Sequence, residues 1–154
     1  MGDFFMDDLS VFGPALVDAY FLESKFARDP RIILSESVRE LVKSHLRYYG
    51  SGYDSPQNMF VLVDVDGYPF INYLFAAIDG GGGEDGVDLV RQHKTCVEEK
   101  LNQYQSNPPI WAKYRWVASY HDFFCKHWLS KYKDELRISS KALAASPRLL
   151  VDKP

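Results

Sequence analysis

The sequence lacks several features that would assign it to a broad functional class. Its 18 Lys and Arg residues are outnumbered by 21 Asp and Glu residues, which gives a formal net charge of -3. Such a chain has no positive field to attract nucleic acid or an anionic lipid surface. No apolar run approaches the roughly 18 residues that a membrane span needs. We therefore expect neither nucleic acid nor a membrane among its partners.

The sequence also lacks the marks of export and of disulfide bonding. Its first residues, MGDFFMDDLS, are acidic and have no basic region followed by a sustained apolar stretch, so a secretory signal is not expected. There are two cysteines, Cys96 and Cys125, which lie far apart on predicted helices. A reducing, cytoplasmic setting accounts for both observations.

Two further motifs do not define a site. The run Gly80–Gly83 is not followed by Gly-Lys-Ser/Thr, so it predicts a flexible linker rather than a phosphate-binding loop. His121 and Cys125 are one helical turn apart and could share a metal ion. Because no second pair has ligand spacing, packing is the favoured interpretation.

Asp64 and Asp66 form the most suggestive acidic motif, Asp-Val-Asp-Gly, at the end of a predicted strand. They share a strand face and could hold a divalent ion. A calcium loop would need acidic residues where Leu62 and Tyr73 stand, so that interpretation fails. The sequence favours an acidic turn that ends a strand.

The hydrophobic pattern predicts a mixture of helices and strands, and so an α/β or α+β fold. We predict a hairpin of two short strands around Asp7-Asp8, helices over 13–29 and 35–49, strands over 32–34 and 59–65, and a short helix over 68–78. Ser37 and Glu40 have the spacing of a capping box. Two longer helices follow, one over 85–105 and one after Asn107, which has the residue types of a helix cap.

These elements predict four segments. Residues 1–79 form a sheet-containing domain, 80–85 a glycine-rich linker, 86–136 a helical hairpin, and 137–154 a loose tail in which the apolar signal fades. The helix after Gly13 directs its first amides outward, where a phosphate could sit, although Pro14 removes one donor.

The segment VFGPALVDAYFLESKFARDPRIILSESV resembles the later part of a class III nucleotide cyclase catalytic domain. There, a strand leads through a glycine into a helix reading roughly G-x-x-x-N-x-x-x-R-L-E, and a strand like RI-x-x-S follows. The sequence of this segment is most similar to that of the pyrimidine cyclases of bacterial anti-phage signalling. Their D-x-DG-x-x-F-I-x-YL segment resembles 64–74, and one helix of their C-terminal helical pair resembles the segment WAKYRWVASYHDFF. The resemblance therefore implies a partial cyclase-like, ferredoxin-like sheet with packed helices and a helical pair.

The resemblance implies a nucleoside triphosphate as substrate in complete relatives, two Mg²⁺ or Mn²⁺ ions as cofactors, and composite sites across a dimer. It places the base-reading position near Ser10 and the start of the phosphate-facing helix at Gly13. The Asn and Arg positions of the family are Val17 and Phe21 here, whereas Gly13, Leu22 and Glu23 match. No metal role is transferred to Asp3, Asp7 or Asp8, because they are not in the family's context.

Ring closure needs metal ions to activate the ribose hydroxyl and to neutralise the leaving pyrophosphate. Without the aspartates that place these ions, we expect no cofactor in this chain and no activity from it alone. Two hypotheses follow. The chain is a truncated or degenerate cyclase whose relatives make cyclic UMP or CMP, or it is a non-catalytic dimerisation or regulatory module that keeps the cyclase interface. Both predict a homodimer or pairing with a related chain. We also expect the strand with the missing aspartates to be encoded upstream of Met1.

Overall fold

A computed structural model of the chain describes residues 5–6, 11–50, 55–79, 84–138 and 148–151. Its fold is α+β, with helices packed around a small antiparallel sheet. The strands are β1 (Phe5–Met6), β2 (Val11–Phe12), β3 (Val61–Val63), β4 (Pro69–Ile71) and β5 (Arg148–Leu149). The helices are α1 (Pro14–Lys25), α2 (Glu36–Leu46), α3 (Pro56–Phe60), α4 (Tyr73–Asp79), α5 (Glu84–Gln103), α6 (Pro108–Trp128) and α7 (Lys133–Leu136), with a 3-10 turn at Ser130–Tyr132.

The N-terminal strands form the predicted hairpin. β1 and β2 pair antiparallel, with Phe5 opposite Phe12 and Met6 opposite Val11. Gly13 then starts α1 with a φ of 140°, which lies in the region that favours glycine, and Pro14 occupies the first helical position. The strand, the glycine and the helix thus follow one another as the sequence predicts.

A second sheet has the order β4-β3-β5, and all its neighbours are antiparallel. The segment 32–34 extends it beyond β4 through a bridge between Ile33 and Phe70. The amide of Leu34 donates to the Pro69 carbonyl at 3.0 Å, and that of Ile71 donates to the Ile32 carbonyl at 2.9 Å. We call 32–34 the edge segment.

Two predictions between residues 55 and 79 are wrong in detail. The predicted strand 59–65 starts only at Val61, because Ser55 caps α3 by accepting from the Asn58 amide and the helix runs on through Phe60. The predicted helix 68–78 starts only at Tyr73. The Asp66-Gly67 turn, with Gly67 at φ 84°, sends the chain back along β3, so β4 forms instead.

The predicted capping box of α2 is also wrong. Ser35, not Ser37, is the N-cap, and its hydroxyl accepts from the Val38 amide at 3.4 Å. The Ser37 hydroxyl lies 3.0 Å from that of Ser35. At α6 the predicted cap is confirmed, because the Asn107 side chain accepts from the Ile110 amide at 3.4 Å.

One apolar cluster lies between the second sheet and the long helices. Leu62 and Phe70 contribute from the sheet, Leu74 from α4, and Val90 and Phe124 from α5 and α6. The cluster thus draws on both sides of the glycine run. The division of the chain into four segments stays a prediction.

The prediction of a loose tail over 137–154 is wrong at two places. Ile138 is 1% exposed, and its amide donates to Asp122 Oδ1 at 2.9 Å. Further on, Leu149 pairs with Leu62 in β3. These residues are held because they cover apolar surface of α6 and of the sheet, which the fading sequence pattern does not reveal.

A buried hydrogen-bond network ties α6 to the sheet. The Tyr120 hydroxyl donates to Asn72 Oδ1 at 2.6 Å and accepts from the Leu74 amide at 3.0 Å. Asn72 in turn donates to the Met59 carbonyl at 2.7 Å. Both Tyr120 and Asn72 are 0% exposed, so water cannot replace a lost partner.

Tyr120→Phe should lower the free energy of unfolding by about 1–3 kcal/mol, because it leaves a buried acceptor on Asn72 and a buried amide at Leu74 unpaired. Urea unfolding followed by circular dichroism measures the loss. Tyr114→Phe is the matched control, since Tyr114 is only half-buried and its ring stacks on Tyr104. Equal losses in the two variants would contradict the proposed role of the network.

Candidate functional site

The two aspartates of the acidic turn surround one buried arginine. Arg31, which precedes the edge segment, forms ion pairs with both Asp64 and Asp66. Asp64 Oδ2 also accepts from the indole nitrogen of Trp116, on α6, at 2.7 Å. Arg31, Asp64 and Trp116 are 6%, 3% and 4% exposed, respectively. We call these four residues the Arg31 cluster.

The turn itself shapes the cluster. Asp64 Oδ1 accepts from the Val65 amide at 2.7 Å, and Asp66 Oδ1 accepts from the Tyr68 amide at 3.1 Å. The Gly67 amide donates to the Asp64 carbonyl at 2.9 Å. The same short loop that reverses the chain therefore orients both carboxylates toward Arg31.

Ion pairing outweighs burial in the cluster. Burial by itself would lower the pKa of Arg31, but the hydrogen bond with Asp66 and the nearby charge of Asp64 raise it above its usual value. Burial would likewise raise the pKa of Asp66, yet the hydrogen bond from Arg31 holds it below its usual range. Nearby Asp29, on the same loop as Arg31, has a raised pKa because of burial.

The cluster does not fit the divalent ion that the acidic motif Asp-Val-Asp-Gly could hold. A metal ion at Asp64 and Asp66 would have to displace a guanidinium that is fully buried, together with the Trp116 indole. Within the part of the chain that the structure describes, no group of three or more His, Cys, Asp or Glu side chains could hold a metal ion. We derive no catalytic step through a metal ion at these residues.

The structure leaves the predicted nucleotide-binding residues untested. Ser10 lies outside the described residues, and Gly13 is the N-cap of α1. The amides of Leu16 and Val17 both donate to the Gly13 carbonyl, at 3.1 and 3.2 Å. Nucleotide binding at Gly13 stays a prediction.

A larger feature lies beside α1. No residue of this helix is buried, although most of its side chains are apolar. On one face, four large side chains are exposed by 44%, 66%, 68% and 53%: Leu16, Val17, Tyr20 and Phe21. We call them the α1 outer stripe.

The opposite face of α1 borders a cleft of about 660 Å³, which we call the α1 cleft. Ala15, Ala19 and Leu22 line it from the helix, and the edge segment lines it from the sheet. Ile71 and Val38 add aliphatic surface, while the carboxylates of Asp18 and Glu23 stand on the helix side. Clefts of roughly 300–1,000 Å³ with mostly apolar walls are the size that binds ligands.

A second polar feature lies at the far side of the core, between α5 and α6. The rings of His93 and His121 stack with their planes 10° apart, and their Nδ1 atoms are 2.9 Å from each other. The Tyr73 hydroxyl lies 3.3 Å from His93 Nε2, and His121 Nε2 lies 2.9 Å from the Leu136 carbonyl.

Only one arrangement of protons satisfies this chain of neutral groups. A carbonyl accepts, so His121 Nε2 carries the proton and His121 Nδ1 is an acceptor. His93 Nδ1 must then donate, which leaves His93 Nε2 to accept from Tyr73. Burial, together with His121, lowers the pKa of His93 to about 4. Burial also lowers the pKa of His121, although its bond with Leu136 acts in the opposite direction.

The helices that the structure describes include none long and apolar enough to cross a membrane. The comparisons with known proteins gave no match: no family model fits the chain, and no curated protein or solved structure is significantly similar to it. Function must therefore be inferred from the site itself.

Sequence reasoning found the two aspartates but missed their partners. Arg31 stands 33 residues before Asp64, and Trp116 stands 52 residues after it. A charged residue directly before an apolar strand was a signal for Arg31. The pairing of His93 with His121 left no sequence signal, because each is a single His on a long helix.

Arg31→Met should lower the free energy of unfolding by about 3–5 kcal/mol, because it leaves the Asp64 carboxylate buried without its cation. Chemical denaturation measures the change. The control is Arg39→Met, which removes a partly exposed pair with Glu36 and should cost less than about 1 kcal/mol. A loss for Arg31→Met no larger than for Arg39→Met would contradict the buried ion pair.

The histidine pair should make stability depend on pH. Both pKa values lie below the value of about 6.5 in the unfolded chain, so the unfolded state binds more protons as the pH falls. Between about pH 7 and about pH 5, His93 should lower the free energy of unfolding by about 2 kcal/mol. The stabilisation that neutral His93 provides is fully present above the pKa of the unfolded chain, and it is lost as the pH falls toward about 4.

Urea unfolding at both pH values tests this dependence. The wild-type chain should lose more stability on acidification than His93→Phe, whereas His45→Phe, at an exposed position, should behave as the wild type does. Identical pH slopes for the wild type and His93→Phe would show that the pair does not titrate as described.

Proposed function

We propose that this chain is a degenerate relative of class III nucleotide cyclases that serves as a non-catalytic association module, and that it pairs with a second copy of itself through α1. Its complete relatives, by the sequence resemblance, would convert UTP or CTP to cyclic monophosphates in anti-phage signalling. The single observation that carries the association role is the α1 outer stripe.

Such a large exposed apolar surface is unusual on a helix of a folded chain. A helix of a globular protein normally buries its apolar face against the core. Here one face of α1 borders a cleft and the other exposes four large apolar side chains, and no residue of the helix is buried. Contiguous apolar surface of this kind is typical of interaction sites.

A second copy of the chain is the partner that this surface fits best. Leu16, Val17, Tyr20 and Phe21 carry no charge, so two copies of the stripe do not repel each other. A two-fold interface places the same patch on both subunits, which a self-complementary apolar stripe permits. Tyr20 and Phe21 supply the aromatic surface that often dominates interface energies.

The proposal also assigns a cyclase-like fold to the chain. It is supported by the order of β2, Gly13, α1 and the edge segment, which matches the order of strand, glycine, helix and strand in the family. The non-catalytic role is supported by Val17 and Phe21, which stand at the Asn and Arg positions of the family. The Arg31 cluster supplies no replacement ion site, since Arg31 pairs with the carboxylates of Asp64 and Asp66.

Val17→Glu should weaken self-association at least about tenfold, because a carboxylate would lose its hydration in the apolar interface. Sedimentation equilibrium over a range of protein concentrations measures the dimer. The control is Leu89→Glu, which places the same charge on an exposed leucine of α5. A wild-type chain that stays monomeric throughout, or an undiminished dimer in Val17→Glu, would contradict the association role.

The same preparation tests the enzymatic alternative. We expect no cyclic nucleotide after incubation of the purified chain with UTP, CTP, ATP or GTP and Mn²⁺. Product formation that Val17→Glu abolishes would instead indicate a cyclase that assembles its site across a dimer.

A further inference from the structure

Among the residues that the structure describes, no strand pairs with the side of the edge segment that faces away from β4. Its hydrogen bonds to β4 use the Ile32 carbonyl and the Leu34 amide. In an antiparallel ladder the residue between two such positions directs its own N–H and C=O away from that neighbour. The main-chain groups of Ile33 therefore point away from the sheet, and the structure describes no backbone partner for them.

The α1 cleft borders this open edge, because Ile32, Ile33 and Leu34 all line it. The side chain of Ile33 packs against the apolar cluster, so it does not fill the cleft. An unpaired N–H and C=O at a sheet edge offer the first two hydrogen bonds to another strand. A ligand that satisfies them must carry alternating donors and acceptors at strand spacing, which is the chemistry of an extended peptide.

The walls of the cleft specify the side chains of such a peptide. Ala19, Leu22 and Ile71 offer aliphatic surface for every second residue. Asp18 and Glu23 are both exposed, and within the described part of the chain neither forms an ion pair. Arg31 also lines the cleft, but its charge is balanced by Asp64 and Asp66. The accessible charge of the cleft is therefore negative.

We infer that the α1 cleft is a docking groove for an extended basic segment of a partner protein, which adds a strand beside Ile33, places aliphatic side chains between α1 and the sheet, and directs Lys or Arg toward Asp18 and Glu23. This groove lies on the face of α1 opposite the outer stripe. It can therefore act whether or not the chain pairs with a second copy.

The probe is a short fluorescein-labelled peptide of alternating valine and lysine with both ends capped. Fluorescence anisotropy should show saturable binding in the micromolar range. Ala19→Phe, which places a ring in the cleft from an exposed position, should weaken binding at least about tenfold. Leu89→Phe places the same ring at an exposed position of α5 and should bind as the wild type does.

Two further comparisons test the chemistry of recognition. A peptide of the same sequence with alternate backbone nitrogens methylated keeps its charge but cannot add a strand, so it should bind at least about tenfold more weakly. Asp18→Asn with Glu23→Gln should weaken binding and reduce its salt dependence, whereas Glu36→Gln with Glu40→Gln, on α2, should change neither.

Three results would contradict the proposal that the α1 cleft is a docking groove. The first is an absence of saturable binding to the folded wild-type chain. The second is equal binding of the methylated peptide, which would show that only charge attracts it. The third is loss of self-association in Ala19→Phe but not in Val17→Glu, which would assign the cleft to a second copy.

Discussion

The pairing of Arg31 with Asp64 is the interaction on which the rest of the structure depends. It joins three separate parts of the chain: the loop after α1, the turn after β3, and α6, which reaches Asp64 through the Trp116 indole. Both charges are buried, so neither can be left alone without a large cost. The pair therefore fixes where the edge segment meets the sheet and where the sheet meets the long helices.

The Arg31–Asp64 pair also lies between a packed part and an exposed part of the described chain. The apolar cluster, the Tyr120 network and the histidine pair all lie on the side of the sheet where α5 and α6 pack. α1 follows a glycine and precedes Arg31, and it contributes no buried residue. The carboxylates of Asp64 and Asp66 hold the fold together through Arg31, while the apolar surface of α1 stays exposed.

Much of the helical architecture could be predicted because its signals are local. The two long helices, the cap at Asn107 and the turn at Asp66-Gly67 each depend on residues a few positions apart. The predictions for residues 59–65 and 68–78 were wrong in their bounds because these elements are short. A few apolar residues fit a strand or a helix equally well, and pairing with β3 decided the outcome.

The site could be predicted only in part, because local sequence patterns do not show long-range contacts. Asp64 and Asp66 were visible as a motif, but what they bind is set by contacts over 33 and 52 residues, which no local pattern encodes. The exposure of α1 was also hidden. Most side chains of α1 are apolar, as in a buried helix, and no local pattern reveals that none of them is buried.

Hydrogen–deuterium exchange at two protein concentrations tests the central claim most directly, namely that α1 is covered by another copy rather than by its own chain. The account predicts that amides of α1 become more protected as the concentration rises, while those of α5 and α6, which pack within the chain, stay unchanged. Protection of α1 that is the same at both concentrations would contradict it.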